Sequence, residues 1–264
     1  MHRHHANTST TQKSQHDINQ QQYHQKSDAY LNSTVHAQGI EFAKMQQLVG
    51  QYPAAQVLDL GCGGGHVSYQ VAANSQQVTA YDLSAEMVDL VVAQAGKKGM
   101  HQIVGQVGPA EHLDFADHHF DVVLSRYSAH HWQDLAQALQ QIYRVLKPQG
   151  KVILFDTLGS EHPSIDTFIQ SIEFIRDPSH VRNYSLAQWV RFAEYAGFQV
   201  EVVEIQHLEL DFKSWVERMQ TPETAVQSIR YLHSKVSDMV RRYFNLQADG
   251  TFSNRAIYLQ LSKI

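Results

Sequence analysis

Several features that would each point to a function are missing or scarce in this sequence. It holds one cysteine, Cys62, in 264 residues, so no intramolecular disulfide can form and no multi-cysteine zinc site exists. No apolar run approaches the ~18 residues that suggest a membrane-spanning helix, and the N-terminus lacks the apolar core of a secretion signal. Basic charge is also short. The 21 Lys and Arg stand against 26 Asp and Glu, a net charge of −5, which argues against a nucleic-acid binder that relies on a broadly basic face. These absences make a soluble, cytoplasmic protein the expectation. With 43% hydrophobic and 18% charged residues, the composition is that of an ordinary globular chain. The length suits one large α/β domain or two small ones.

Residues 1–22, "MHRHHANTSTTQKSQHDINQQQ", offer almost nothing to bury and are expected to form a disordered tail. From Gln56 onward, β-branched runs alternate with helical patterns. "QVLDL", "QQVTAYDL", "QIVGQVG", "FDVVLSRY" and "KVILFD" read as five strands, with "FQVEVVEIQ" and "RAIYLQLS" as two more. A helix capped by Ser84 puts Met87, Leu90, Val91 and Ala95 on one face. A second aligns Leu135, Leu139, Ile142 and Leu146, and a capping box from Ser185 to Gln188 opens a third carrying Trp189, Phe192 and Ala196. Such alternation predicts an α/β fold, a mostly parallel sheet with helices on both faces. Two segments break it, an insertion over 160–184 and a helical insertion over 211–250. Extra elements beside strand ends are where α/β enzymes build substrate sites and lids.

The densest signal is "VLDLGCGGGHV", Val57 to Val67. Glycine inside regular structure costs roughly 1 kcal/mol relative to alanine, so this cluster means either a very tight turn or close approach by a ligand. Between a strand and a helix, such a loop turns backbone N–H groups toward a ligand. The dinucleotide fingerprint G-x-G-x-x-G fails here, because His66 occupies the third glycine position counted from Gly61; this disfavours an NAD-dependent oxidoreductase. What fits is Asp59 followed by Gly61, Gly63 and Gly65. That pattern resembles motif I of the class I S-adenosylmethionine-dependent methyltransferases, D/E-x-G-x-G-x-G.

Other segments extend the resemblance. Asp82 ends the second strand where the family places an acid for the ribose hydroxyls, and a carboxylate suits a cis-diol. "GPAEHLDFADHHFDVV" is similar to the family block in which Ala110 offers backbone to adenine, although Pro109 replaces a common acid and Asp114 a common proline. "RVLKPQGKVILFD" is similar to its L-K-P-G-G turn, with Gln149 in place of a glycine. "YHQKSDAYLNSTVH" resembles the N-terminal cap and would set Tyr30 and His36 over the cofactor. The resemblance further implies that Cys62, Leu83, Met87, Glu111 and Ser125 surround S-adenosylmethionine. Within class I the chain is most similar to the ubiquinone/menaquinone-biosynthesis C-methyltransferase group and its uncharacterised bacterial relatives. The fold implied by the resemblance is a Rossmann-like seven-stranded sheet in the order 3-2-1-4-5-7-6 with an antiparallel last strand. The same likeness implies one methyltransferase domain over 23–264, with an N-terminal cap at 23–50 and lid insertions.

Methyl transfer from a sulfonium mainly requires positioning and exclusion of water. A base helps only where the acceptor loses a proton. "SRYSAHHW" follows the fourth strand at its ligand-facing end, making Tyr127, His130 and His131 the catalytic candidates, since histidine titrates near neutrality. Arg126 either orients an anionic acceptor or pairs with a nearby acid. His180, Arg182, Asn183 and Tyr184 form a polar cluster expected to face substrate. No metal site is expected. The function expected is methyl transfer to a small-molecule acceptor at carbon or oxygen, with no nucleic-acid partner. A catalytically silent cofactor-binding protein is the alternative from another class, and a protein or RNA methyltransferase would carry an extra recognition domain or basic face.

Overall fold

The computed structural model describes residues 13–23 and 39–264. Its seven strands are β1 (Ala55–Leu60), β2 (Ser75–Asp82), β3 (Ile103–Val107), β4 (Phe120–Arg126), β5 (Leu146–Thr157), β6 (Phe198–Leu210) and β7 (Phe252–Lys263). They form one sheet in the order β3-β2-β1-β4-β5-β7-β6. The first five run parallel, and β7 runs antiparallel to both of its neighbours. This is the order that the resemblance implied.

The helices that pack on the sheet are α2 (Ile40–Val49), α3 (His66–Val71), α4 (Ala85–Lys97), α5 (Leu135–Val145) and α7 (Leu186–Tyr195). Central strands are apolar on both sides because both faces are covered. On one face Leu58, Val123, Leu154 and Ile257 pack with Leu139 and Ile142 of α5 and Trp189 of α7. On the other, Val57, Val122, Leu124 and Ile153 meet Met45 of α2, Val71 of α3 and Val91 of α4. Ser84 caps α4 by accepting the Met87 N–H at 3.3 Å, and Ser185 with Gln188 forms the expected capping box on α7. The face of α4 differs from expectation at one position: Val88 is buried and Leu90 only partly so. Gly105 on β3 explains this, because a Cβ there would lie 2.4 Å from Val88 Cγ1.

Two further differences have physical causes. The tail expected over 1–22 contains an α-helix, α1, at Gln15–Tyr23. It is held by polar side chains reaching main-chain carbonyls: Gln15 Nε2 donates to Ser179 O at 3.1 Å and Gln20 Nε2 to Leu83 O at 3.1 Å. Apolar periodicity could not reveal a helix docked in that way. Of the N-terminal cap expected at 23–50, Tyr30 and His36 lie outside the described residues. The "LKPQG" turn is a bulge within β5, where register slips from Phe120↔Leu146 to Val122↔Lys151 and Gln149 adopts a φ of 63°.

The two insertions come together. α6 (Pro163–Arg176) packs with α8 (Phe212–Arg218), α9 (Glu223–Lys235) and α10 (Asp238–Tyr243) around a third core of Phe168, Ile172, Trp215, Ile229, Phe244 and Phe252. Together they make one lid over the carboxyl ends of the strands. Among the described residues no helix is long and apolar enough to cross a membrane.

Candidate active site

The glycine turn follows β1. Gly61 and Cys62 both donate their N–H to Tyr81 O, at 2.8 and 3.0 Å, tying the turn to β2. Gly61, Gly63 and Gly65 all have left-handed φ, at 75°, 47° and 79°, but they serve different purposes. A Cβ on Gly61 would meet Ser128 Oγ at 1.8 Å, and one on Gly65 would meet Val91 Cγ1 at 2.8 Å. Those two are needed for packing. A Cβ on Gly63 would meet nothing within 4 Å among the described residues, and that position opens onto a cavity. Of these three, Gly63 alone leaves its Cβ position open for the close approach of a ligand.

Acids frame the turn. Asp82 accepts the Gly63 N–H at 2.9 Å through Oδ2 and the Ser84 N–H at 3.0 Å through Oδ1. Burial raises its pKa despite these hydrogen bonds, and a carboxylate has further lone pairs for a diol. Asp59 is 1% exposed; its Oδ2 accepts from Ser68 N and Oγ at 2.9 and 2.6 Å. Its Oδ1 lacks a hydrogen-bond partner among the described residues. Burial lifts Asp59 to about 7. An open glycine position beside a buried, half-satisfied acid fits S-adenosylmethionine, whose sulfur and amino group are cationic.

Leu83, Met87, Ala110 and Glu111 also line the cavity. Glu111 has a structural duty as well, accepting the Gln133 and Asp134 N–H groups at 2.6 and 3.2 Å at the start of α5. Cys62 is buried on the cavity wall, and burial pushes its thiol well up. Gly65 and Ser125 do not line the cavity.

The turn after β4 supplies the other end. Tyr127 has a φ of 52°, and burial holds its phenol neutral by raising its pKa strongly. His130 Nδ1 lies 2.5 Å from Asp156 Oδ1. Asp156 is fixed in turn by N–H groups of Ala129 at 2.7 Å, His130 at 3.3 Å and Thr157 at 2.7 Å. Burial opposes a charge on His130, but Asp156 outweighs it and raises the ring above its ordinary pKa, aided by Glu173 and Asp177 from the lid. His131, its ring 4.1 Å from that of His130, is lowered by burial and by its neighbour. His131 Nδ1 lies 3.1 Å from Ser179 O, and His130 O accepts from Val181 N at 2.8 Å. The turn and the lid are thus stitched together.

Arg126 takes the second of its two expected courses. Its Nε and Nη2 reach Glu41 Oε1 at 2.7 and 2.6 Å in a buried pair, although its side chain still borders the cavity. None of the four residues of the polar cluster after the lid proline lines the cavity. His180 Nε2 is 2.9 Å from Gln170 Oε1, and Arg182 pairs with Asp166 at 2.9 Å. Asn183 bonds Thr157 and Gln170, and Tyr184 packs on Trp189 and Phe192. These groups fasten the lid. The cavity is lined instead by Glu173, Arg176 and Asp177 of the first insertion, Trp215, Arg218 and Met219 of the second, and His16 and Asn19 of α1. Only Asp156 carried a sequence signal that could have been used: it lies at the end of a parallel strand as Asp82 does.

The family description "Methyltransferase domain" matches residues 58–154. The uncharacterized protein YafE of Escherichia coli is 42% identical over 203 residues, covering 77% of this chain and 98% of that one. The uncharacterized methyltransferase YcgJ of Bacillus subtilis is 32% identical over 249 residues, covering 92% and 98%. The YcgJ crystal structure superposes with a TM-score of 0.80 over 84% of this chain and 97% of that chain. The ubiquinone/menaquinone biosynthesis C-methyltransferase UbiE of Geotalea daltonii is 36% identical over 110 residues, 39% of this chain and 46% of UbiE. By sequence and by fold, then, the chain belongs to the class I S-adenosylmethionine-dependent methyltransferases.

Proposed function

We propose that the acceptor is a small molecule methylated at carbon or oxygen, and that His130 receives the proton it releases. The observation that carries this reading is the His130–Asp156 pair at 2.5 Å on the wall of the same cavity as Gly63. Bound S-adenosylmethionine supplies an activated methyl group at a cationic sulfur. Gly63, Asp82, Leu83, Met87 and Ala110 would hold it, with Asp59 as the acid for its amino-acid end. The lid excludes water and fixes the acceptor. Asp156 accepts the Nδ1 proton of His130, which leaves Nε2 as the proton-accepting atom, the arrangement of a general-base dyad. Tyr127 and His131, both held neutral, orient the acceptor and the lid. A base of this kind is needed for a C–H or O–H acceptor. Relatives named as C-methyltransferases and as malonyl-[acyl-carrier protein] O-methyltransferases are compatible with either atom.

The test is a screen of metabolite extracts with a radiolabelled methyl donor. The expected result is label in a low-molecular-weight product, with turnover reduced about tenfold or more in His130→Ala. Good cofactor binding without any labelled product would instead indicate a silent binding protein. Label found only in protein or RNA would reject the small-molecule acceptor.

A further inference from the structure

The outer strands of the sheet overrun β5. Thr157, the last residue of β5, pairs with Ala256 of β7, while β6 and β7 continue together through Leu208↔Asn254 to Leu210↔Phe252. Because β7 is antiparallel, this overrun projects past the carboxyl end of β5, beside the His130 turn. Asn254 is 1% exposed and lines the cavity that also holds His130 and Gly63. Its Oδ1 accepts the Arg255 N–H at 2.8 Å, which fixes the amide with Nδ2 as the remaining group. Nδ2 has no hydrogen-bond partner among the described residues. A buried donor left without an acceptor is uncommon and costly, and calls for an explanation.

The surroundings narrow what would satisfy it. Leu208, Leu210 and Trp215 line the cavity around this position, so a ligand here meets an apolar wall. Charge at the lid end is balanced, with Arg176 and Arg218 offset by Glu173 and Asp177 among the lining residues. Arg176 Nη1 is 3.2 Å from Glu173 Oε2, and its Nε donates to Trp215 O at 2.9 Å. An anion would find no surplus of positive charge, and a cation would face a donor.

We infer that Asn254 is the polar anchor of the acceptor subsite, its Nδ2 donating to an uncharged carbonyl oxygen on a molecule with an apolar body. The inference rests on the methyl-transfer reading above and adds the substrate class. In this arrangement the carbonyl is held on the β6–β7 overrun while the apolar body lies against Leu208, Leu210 and Trp215.

The experiment uses full-length protein first titrated to saturation with S-adenosylhomocysteine, then probed by calorimetry with methyl octanoate, octanoate and octylamine. Methyl octanoate should bind most tightly of the three. Asn254→Leu, which keeps an apolar side chain but no donor, should weaken methyl octanoate about tenfold and leave S-adenosylhomocysteine affinity unchanged. Asn254→Asp, close in shape but accepting only, should reverse the order in favour of octylamine and guards against misfolding of the leucine variant. Equal binding of methyl octanoate to wild type and both variants, no binding to wild type, or a preference of wild type for octanoate or octylamine would each overturn the inference. Failure of the first titration, with S-adenosylhomocysteine not binding, would instead remove the methyl-transfer reading beneath it.

Discussion

The two ends of the cavity are built by opposite means. The end proposed for the cofactor is made of consecutive residues at a strand–turn–helix junction, with two neighbouring strands supplying Asp59 and Asp82. The lid end is assembled from segments far apart in sequence: the β4 turn, the tip of β5, two insertions and the β6–β7 overrun. Local order is cheap to encode and rigid. A lid with its own small core, set on the sheet through hydrogen bonds such as His131 to Ser179 O, can vary without disturbing the cofactor turn. A constant donor site and an adaptable acceptor site are what a methyltransferase fold requires when chemistry stays fixed and substrates differ.

The comparison can be sharpened within the turn itself. Gly65→Val should lower unfolding stability by about 2–5 kcal/mol, because the side chain overpacks against Val91 and Tyr69 in a left-handed conformation. Gly63→Val should cost only the backbone strain of about 1–2 kcal/mol, since its Cβ position is open. Urea unfolding of both variants distinguishes a packing glycine from an open one, and equal losses would break the distinction.

At the lid end, Asp156→Asn should leave His130 with a lower pKa, because the carboxylate that offsets burial is gone. NMR titration of the His130 ring checks this without any acceptor. In turnover, the rising acidic limb should move to lower pH while the maximum rate falls about tenfold. The stability effect has a defined sign. His130 is raised above the unfolded value of 6.5, so its pairing contribution is complete below that pH and fades as pH rises through the folded value. An unchanged ring titration would show that Asp156 serves only the backbone of the turn.

His180 should act in the reverse sense. Burial and the adjacent His130 and His131 hold it at about 3, against 6.5 in the unfolded chain. Its contribution to stability is present above 6.5 and is lost as pH falls from there toward 3. His180→Gln should flatten the loss of stability on acidification, as measured by urea midpoints across that range. A slope unaffected by the change would place the acid sensitivity elsewhere.

The smallest effect is expected far from both ends. Gln149 sits at a φ of 63° on an exposed bulge, so Gln149→Gly should stabilise the fold by about 1 kcal/mol by relieving the left-handed strain. A lower melting temperature would mean that the Gln149 side chain, not its backbone, matters there.

Local patterns account for what is legible in the sequence. The sheet, the caps at Ser84 and Ser185, and the spacing of Asp59, Gly61, Gly63 and Gly65 each lie within a window of a few residues, where periodicity and turn chemistry operate. The polar cluster at His180, Arg182, Asn183 and Tyr184 resembles a substrate site in sequence because polarity after a proline does not say which way side chains point. Their partners, Gln170, Asp166 and Trp189, lie on helices whose packing only the folded chain defines. Asn254 and Leu208 are hidden for a related reason: one-sided strand patterns make β6 and β7 look shorter than they are, and the overrun is where these residues serve. The helix at Gln15–Tyr23 is too polar for apolar periodicity to mark it, and it docks by amide-to-carbonyl bonds.

The division of labour between the two ends is tested most directly by calorimetric titration of S-adenosylhomocysteine into wild type, Gly63→Val and His130→Ala. The account predicts that Gly63→Val loses at least about a hundredfold in affinity, more than ~2.7 kcal/mol, while the variant stays folded and His130→Ala stays within about twofold of wild type. Near-normal binding by folded Gly63→Val, or a loss in His130→Ala as large as that in Gly63→Val, would contradict it.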